Sequence, residues 1–319
     1  MKFVFIVNPI AGNDDKKEIF SRIRSAFRFI DDEMIVEETH KQGDARDISA
    51  RYAQKYGKDC VVVSCGGDGT IHEIANGLAH TDTPLMVLPL GTGNDFAKKI
   101  YSTKKINVLN VIKSFGLYSG KIKYTVKPID LISYNGEKCI NVMSFGADTM
   151  VVKYGKKMAE KMSFLGHNAY TAAFVPVIVK EGIRYKISYD INCIDEQGND
   201  YNLNCDNQDF TFWAICNASY YGGGYCPAPN SKLDDGLLDF VLLEGVSVPE
   251  AVKLLPKYSA GLLTEKDSPR LKMGYIKSGR IWTPDQSSLN CNCDGELLDC
   301  NEINFEVEHN ALKVCFIKE

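Results

Sequence analysis

The sequence predicts an α/β domain followed by a mostly antiparallel β domain. Three observations lead there. Residues 1–122 alternate apolar runs with helical patterns, the rhythm of a parallel sheet with crossover helices. Within that stretch Cys60-Val61-Val62-Val63-Ser64 reads as a strand buried on both faces. From about Lys123 the texture changes to strands separated by turn residues, with period-two alternation in Tyr185-Lys186-Ile187-Ser188-Tyr189-Asp190-Ile191.

Each element follows from local pattern. Phe3–Val7 is the opening strand, and a helical pattern runs from about Asp14 to Phe29. Met34–Thr39 is the second strand, and Asp44–Tyr56 a helix that Gly57 ends. After Cys60–Ser64 come a glycine-rich turn, a helix at about Thr70–Leu78, and a strand Leu85–Leu90. In the second half the predicted strands are Tyr124–Tyr134, Lys138–Phe145, Tyr185–Cys193, Phe210–Asn217, Leu237–Leu243 and Asn304–Glu308. Helical stretches are Val151–Met162 with Tyr170–Val179, and Pro249–Ala260. The apolar run Ala311–Ile317 returns to the first domain, so the domains are 1–122 with about 309–319, and 123–308.

Composition narrows the function. At 319 residues, 45% hydrophobic and 24% charged, the chain is an ordinary globular protein of about two domains. Its 37 Lys and Arg against 41 Asp and Glu give a net charge of -4, which argues against a dedicated nucleic-acid binder. Eleven cysteines, many in apolar runs, and an opening that enters a strand without a leader pattern make a reduced cytoplasmic protein the expectation. Cys291 and Cys293 form a lone C-x-C, which reads as structural rather than as half a metal site. No stretch approaches the roughly 18 apolar residues of a membrane span, so any membrane contact is expected to be peripheral.

Three glycine turns follow predicted strands: Asn8-Pro9-Ile10-Ala11-Gly12, Gly66-Gly67-Asp68-Gly69-Thr70 and Leu90-Gly91-Thr92-Gly93-Asn94-Asp95. Glycines at a strand's carboxyl end let backbone approach a ligand, and the next helix start offers N–H groups to an anion. A single turn of this kind is as readily structural; three at one sheet edge point to a phosphate ligand. The Walker pattern is absent, Phe96 stands where a dinucleotide fingerprint needs its third glycine, and His72-Glu73 lacks the second His of a zinc protease. Asp68 is either a helix cap or a carboxylate that reaches phosphate through a cation.

The turn Gly66–Thr70 with Glu73 and Asn76 resembles the nucleotide-binding motif of the diacylglycerol-kinase catalytic domain. Soluble bacterial diacylglycerol kinases, related bacterial lipid kinases, and sphingosine and ceramide kinases share that domain, which is more distantly similar to NAD kinases. The match extends through Asn8-Pro9-x-Ala-Gly, Pro89–Ala97, Asn141, Gly146, Asp148, Lys232–Asp239 and Asp294-Gly295-Glu296. His72 departs from the Asn common in bacterial members, a difference confined to an adenine-side contact.

The resemblance implies an NAD-kinase-like α/β N-terminal domain followed by a β-sandwich domain, with the active site in the interdomain cleft. It implies an ATP site formed by Asn8, Pro9, Ile10, Ala11, Gly12, Thr39, Gly66, Gly67, Asp68, Gly69, Thr70, His72, Glu73, Thr92 and Asn94. Asp235, with the main-chain carbonyls of Lys232 and Leu237, would match a structural magnesium site, a hard cation wanting oxygen ligands. Without the resemblance, Asp234-Asp235-Gly236 reads as a hairpin turn. Glu296 would take the proton from the lipid hydroxyl with Asp294 beside it, although Asp294-Gly295 alone reads as another turn. Magnesium carried with ATP would be organised by Asp68 and Asp95.

The implied activity is ATP-dependent transfer of a γ-phosphoryl group to a lipid hydroxyl, diacylglycerol-like, at the membrane surface. The implied partners are that lipid and a peripheral membrane contact, with no nucleic acid; a homodimer is compatible with the pattern. Lys153, Lys156, Lys157 and Lys161, beside Met158, Met162, Phe164 and Leu165, form a membrane-facing candidate that reads equally well as a solvated helix face. Two rival functions stay open: an NAD kinase-type nucleotide kinase, and a non-catalytic lipid-binding regulatory module.

Overall fold

A computed structural model describes residues 1–12, 14–161, 177 and 182–318. The chain divides into two units, Met1–Ile129 with Asn310–Glu319, and Asp130–His309. In the first unit β1 (Lys2–Val7) pairs in parallel with β2 (Glu33–Glu38) and β3 (Cys60–Gly66), and β3 pairs in parallel with β4 (Leu85–Pro89). The C-terminal part of β14 (Glu302–Ile317) lies parallel to β4 through Val314 and Leu85. Every residue of β3 and β4 is buried, which explains their unbroken apolar composition. On one face Phe3 and Phe5 meet Phe27 of α1 (Lys16–Phe27) edge-on, at centroid distances of 5.5 and 6.1 Å. Burial of each such side chain contributes roughly 1.5–3 kcal/mol.

The helices between the strands are α2 (Asp44–Tyr56), α3 (Asp68–Leu78), α4 (Asp95–Ile100) and α5 (Val108–Ser114). Register brings the ends of the strands level: Val7 stands opposite both Glu38 and Cys65, and Gly66 opposite Pro89. The three glycine turns therefore leave one edge of one parallel sheet.

The second unit is a β sandwich. It uses the end of β5 (Tyr124–Tyr134), then β6 (Glu137–Cys139), β7 (Val142–Gly146), β8 (Tyr185–Ile194), β9 (Asp200–Cys216), β10 (Leu238–Glu244), β11 (Leu271–Trp282), β12 (Cys291–Cys293), β13 (Glu296–Leu298) and the start of β14. β9 and β10 sort their side chains by alternation. Phe210, Trp213, Ile215, Leu238, Phe240 and Leu242 enter one core. Ala214, Cys216, Val241 and Leu243 enter another, with Ala147 of α6 (Ala147–Lys161) and Leu254 and Tyr258 of α7 (Val248–Ala260). Trp213 anchors the first core, its ring 5.0 Å from that of Tyr189.

Several predicted elements change shape. The strand predicted at Lys138–Phe145 breaks into β6 and β7, because the N–H groups of Ile140 and Asn141 leave the ladder to bind Asp294. The predicted strand Phe210–Asn217 is the end of a much longer β9, whose polar, largely exposed first half is held by pairing with β8. β11 escapes the pattern because Gly274 and Gly279 interrupt its alternation; a Cβ on Gly279 would meet Ile191 at 2.4 Å. Asn304–Glu308 and Ala311–Ile317 are one strand, β14, with Asn310 in the left-handed region at φ 56°. The helix predicted at Tyr170–Val179 lies outside the described residues apart from Val177.

Candidate active site

At the sheet edge of the first unit the turns enclose an open groove of about 600 Å³. Its wall contains Asn8, Pro9, Ile10, Ala11, Gly12, Thr39, Gly67, Gly69, Thr70, Glu73 and Thr92, all among the residues singled out from sequence. His40, Lys41, Gln42, Ala45 and Gly91 complete it. Asn8 shapes the first turn: Ile10 N–H donates to its Oδ1 at 3.1 Å, and its amide reaches Thr70 Oγ1 at 3.4 Å. The second and third turns touch backbone to backbone, since a Cβ on Gly91 would lie 2.2 Å from Gly67 Cα. Gly12 has φ +58°, and a Cβ there would stand 2.1 Å from the Leu90 carbonyl oxygen. Only glycine fits either place. Gly67 caps α3 with no side-chain hydrogen bond, so the helix start presents main-chain donors toward the groove.

Four sequence-chosen residues lie outside this wall. Gly66 is buried at the end of β3, against the Thr70 side chain. His72 lies beside Asn76, whose amide donates to the His72 carbonyl at 3.0 Å. Asn94 closes its own turn, accepting from Gly91 N–H at 3.0 Å and donating to the Gly91 carbonyl at 2.7 Å. Asp68 is neither its own helix's cap nor part of the groove wall. It is the first residue of α3, and its Oδ1 accepts from Phe96 N–H at 3.1 Å, capping α4 instead. Desolvation, reinforced by the neighbouring Asp95 charge, pushes the Asp68 carboxyl up to about 7. Asp95 is itself paired with Lys98 at 2.7 Å. Asp68 Oδ1 and Asp95 Oδ1 are thus both engaged in the α4 turn.

Glu73 lines the groove, yet its carboxylate also holds a helix. Gly43 N–H donates to Oε1 at 2.9 Å and Ala45 N–H to Oε2 at 3.1 Å, so it caps α2. Lys41 was missed. It follows β2 through the same carboxyl-edge rule that identified the turns, and it places an exposed cation in the wall of the groove.

In the second unit Asp294 and Gly295 have φ of 51° and 92° and join β12 to β13 as a two-residue hairpin. The Asp294 carboxylate accepts from the N–H groups of Ile140 (2.7 Å), Asn141 (2.8 Å) and Val142 (3.2 Å), and lies 3.2 Å from Cys139 Sγ. Its oxygens thus accept from backbone donors, and it anchors the hairpin. Glu296, the first residue of β13, is half-buried just beyond that anchor.

The segment 232–237 is a loop leading into β10 rather than a hairpin turn. Asp130 secures it: its buried carboxylate accepts from Gly236 N–H at 2.7 Å and meets His309 Nδ1 at 2.8 Å. A charged residue inside the apolar run Pro128–Ile132 was the available signal for Asp130. Asp235 is exposed, and its Oδ1 accepts from Leu237 N–H at 3.2 Å. With the carbonyls of Lys232 and Leu237 it would make an oxygen-only donor set, which suits magnesium in kind. Among the described residues no group of three or more His, Cys, Asp or Glu side chains could hold a metal.

A small apolar cavity opens against α6 and α7. Val151, Val152, Phe212, Tyr225, Leu255 and Tyr258 are among its lining residues, and its free space is about 50 Å³, several times the roughly 10–15 Å³ one water needs. Asp148 also lines it, with Oδ2 buried and lacking a hydrogen-bond partner. Desolvation pushes this carboxyl up to about 6 against the opposing effect of hydrogen bonds from Tyr221 and Ser144. Tyr221 and Tyr258 join hydroxyls at 2.6 Å beside it.

Comparison with known proteins follows the same division. Residues 2–126 match the diacylglycerol kinase catalytic domain, and residues 141–316 match the YegS C-terminal NAD kinase beta sandwich-like domain. The chain belongs to this lipid-kinase family. A Pseudomonas aeruginosa protein named "Probable lipid kinase YegS-like" is 28% identical over 317 residues, covering 95% of this chain and 90% of its own length. A protein of the same name from Shewanella frigidimarina is 31% identical over 276 residues, 84% of this chain and 79% of the relative. The Bacillus subtilis protein named "Diacylglycerol kinase" is 24% identical over 294 residues, 91% and 88% of the two chains. A crystal structure of a diacylglycerol kinase from Bacillus anthracis matches with a TM-score of 0.66 at 21% identity, covering 100% of this chain and 97% of the other, a likeness of fold. Among the described residues no helix is long and apolar enough to cross a membrane. Of the predicted membrane-facing segment, Lys153 is exposed on α6; the side chains of Lys156, Lys157 and Lys161, and all of Met162, Phe164 and Leu165, lie outside the described residues.

Proposed function

We propose that the protein is an ATP-dependent kinase that transfers the γ-phosphoryl group to the hydroxyl of a diacylglycerol-like lipid. The observation that supports a lipid acceptor over a nucleotide is the apolar cavity of the second unit. A nucleotide acceptor such as NAD needs polar and cationic walls for its own phosphates, whereas this lining is mostly aromatic and aliphatic, with no cation and with Asp148 as its one charged residue. In this reading the cavity, with about 50 Å³ free, takes only the part of an apolar substrate next to its headgroup, and Asp148 offers its unpartnered Oδ2 to a polar headgroup atom.

The glycine-lined groove takes the phosphates of ATP on main-chain N–H groups and on Lys41. The lipid oxygen attacks the γ-phosphorus, the bond from that phosphorus to the ADP oxygen breaks, and the hydroxyl proton passes to the Glu296 carboxylate. Asp294 keeps the hairpin that carries Glu296 in place. Magnesium, when bound, supplies positive charge against oxygen donors; Asp235 with the Lys232 and Leu237 carbonyls would hold a structural ion.

The test is a transfer assay with labelled ATP, magnesium and mixed micelles carrying diacylglycerol, phosphatidylglycerol, sphingosine or ceramide, with NAD in a parallel reaction. Label in a lipid is expected. Label in NAD alone, or in no acceptor, would overturn the proposal.

A further inference from the structure

The helix α7 carries one wide apolar arc, part of it buried and the adjacent part exposed. Its inner face, with Ala251, Leu255 and Tyr258, lines the cavity described above. Its outer face is exposed: Val248 is 37% and Val252 49% accessible, and Pro256 continues the same row at four-residue spacing. Past the helix, Leu262 is 65% accessible. It occupies the position after the capping Gly261, with its N–H donating to the Lys257 carbonyl at 2.8 Å and that of Gly261 to Tyr258 at 3.3 Å. In this motif an apolar residue there usually packs back on the helix. Here it stays largely in solvent.

Around this row four cations stand against three carboxylates, a small excess of positive charge that suits an anionic partner. Lys253, Lys257, Lys266 and Arg270 are exposed in a chain whose net charge is -4. The nearby acids are drawn into local bonds. Glu250 accepts from Ser268 Oγ at 2.8 Å, Glu265 from Met273 N–H at 3.1 Å, and Asp267 from Thr264 N–H at 3.0 Å while it pairs with Lys257.

We propose that the outer face of α7, with Leu262, is the surface that docks on an anionic phospholipid bilayer. Val248, Val252, Pro256 and Leu262 enter the headgroup boundary while Lys253 and Lys266 meet lipid phosphates. The same helix then borders the bilayer with one part of its apolar arc and the apolar cavity with the adjacent part, so a lipid leaving the membrane passes along one element. This rests on the reading of the cavity as a lipid site.

The test is co-sedimentation of the full-length chain with vesicles of phosphatidylcholine containing about one third phosphatidylglycerol, run beside transfer to a short-chain diacylglycerol dispersed as monomers. Val252→Glu and Leu262→Glu together should weaken vesicle binding at least about tenfold while leaving transfer to the dispersed lipid unchanged. Val252→Trp, which keeps the face apolar, should bind at least as tightly as wild type and covers the case in which the glutamates unfold the chain. Vesicle binding equal to wild type in a folded double variant, or weakened by Val252→Trp, overturns the proposal. So does a wild type that ignores vesicles and forms a dimer that the glutamates dissociate. If no lipid is phosphorylated even as a monomer, yet the glutamates abolish vesicle binding, the docking surface stands and the kinase reading falls.

Discussion

Replacement of Asp148 by Asn tests the electrostatics of the cavity. The Asp148 carboxyl is pushed from its usual 3.8 up to about 6, chiefly by desolvation. A carboxyl whose folded pKa is raised contributes stability below its unfolded pKa, and that contribution is lost as pH rises through the folded value. Two pK units correspond to about 3 kcal/mol between the protonated and the fully ionised limits. Between pH 5 and pH 8 the part still to be lost is about 1.4 kcal/mol, because at pH 5 the unfolded chain is already largely ionised. An Asn side chain does not titrate, so the stability of Asp148→Asn relative to wild type should climb by the same amount, about 1.4 kcal/mol, over that interval, whatever constant offset the amide introduces. Urea unfolding read by tryptophan fluorescence reports on the correct unit, since both tryptophans, Trp213 and Trp282, belong to Asp130–His309. A stability difference that is flat with pH, or that shrinks as pH rises, refutes the buried, unpartnered Oδ2.

Asp294→Ala should destabilise the second unit by about 3 kcal/mol or more, since several backbone N–H groups lose their acceptor. Glu296→Gln should leave the melting temperature in place yet lower turnover about a hundredfold or more; equal turnover would remove it as the base. Gly91→Ala should abolish the rise in melting temperature with added ATP, because its Cβ lies 2.2 Å from Gly67 Cα and the groove must open. Glu73→Ala should cost about 1–2 kcal/mol by uncapping α2, measurable by thermal unfolding at neutral pH. Asp235→Ala should remove any stabilisation by magnesium; a variant that responds to chelator as wild type does would exclude a magnesium site there.

Local pattern made much of this molecule legible. The strands of the parallel sheet are contiguous apolar runs, so composition alone located β1, β3 and β4. The glycine turns were legible for the same reason, since strand, turn and helix are neighbours along the chain and their shared edge follows from topology. Lys41 obeys that rule as well, but no glycine marks it in the sequence. The sandwich strands were harder. β11 and the first half of β9 take their conformation from pairing with β8, which local propensity does not encode.

What the sequence by itself determined is the class of each half, the carboxyl edge that the three glycine turns leave, and a set of carboxylates that could do work. Which of those carboxylates are available was decided only by the tertiary structure. The acceptor Asp68 and its donor Phe96 stand 28 residues apart, and Asp294 and Ile140 stand 154 apart. A carboxylate in a motif reads as chemistry until its distant donors are known. Backbone N–H groups that folding brings to Asp68, Asp294 and Asp130 bind carboxylate oxygens of all three, while Glu296 stands at the head of β13 on a hairpin that Asp294 anchors.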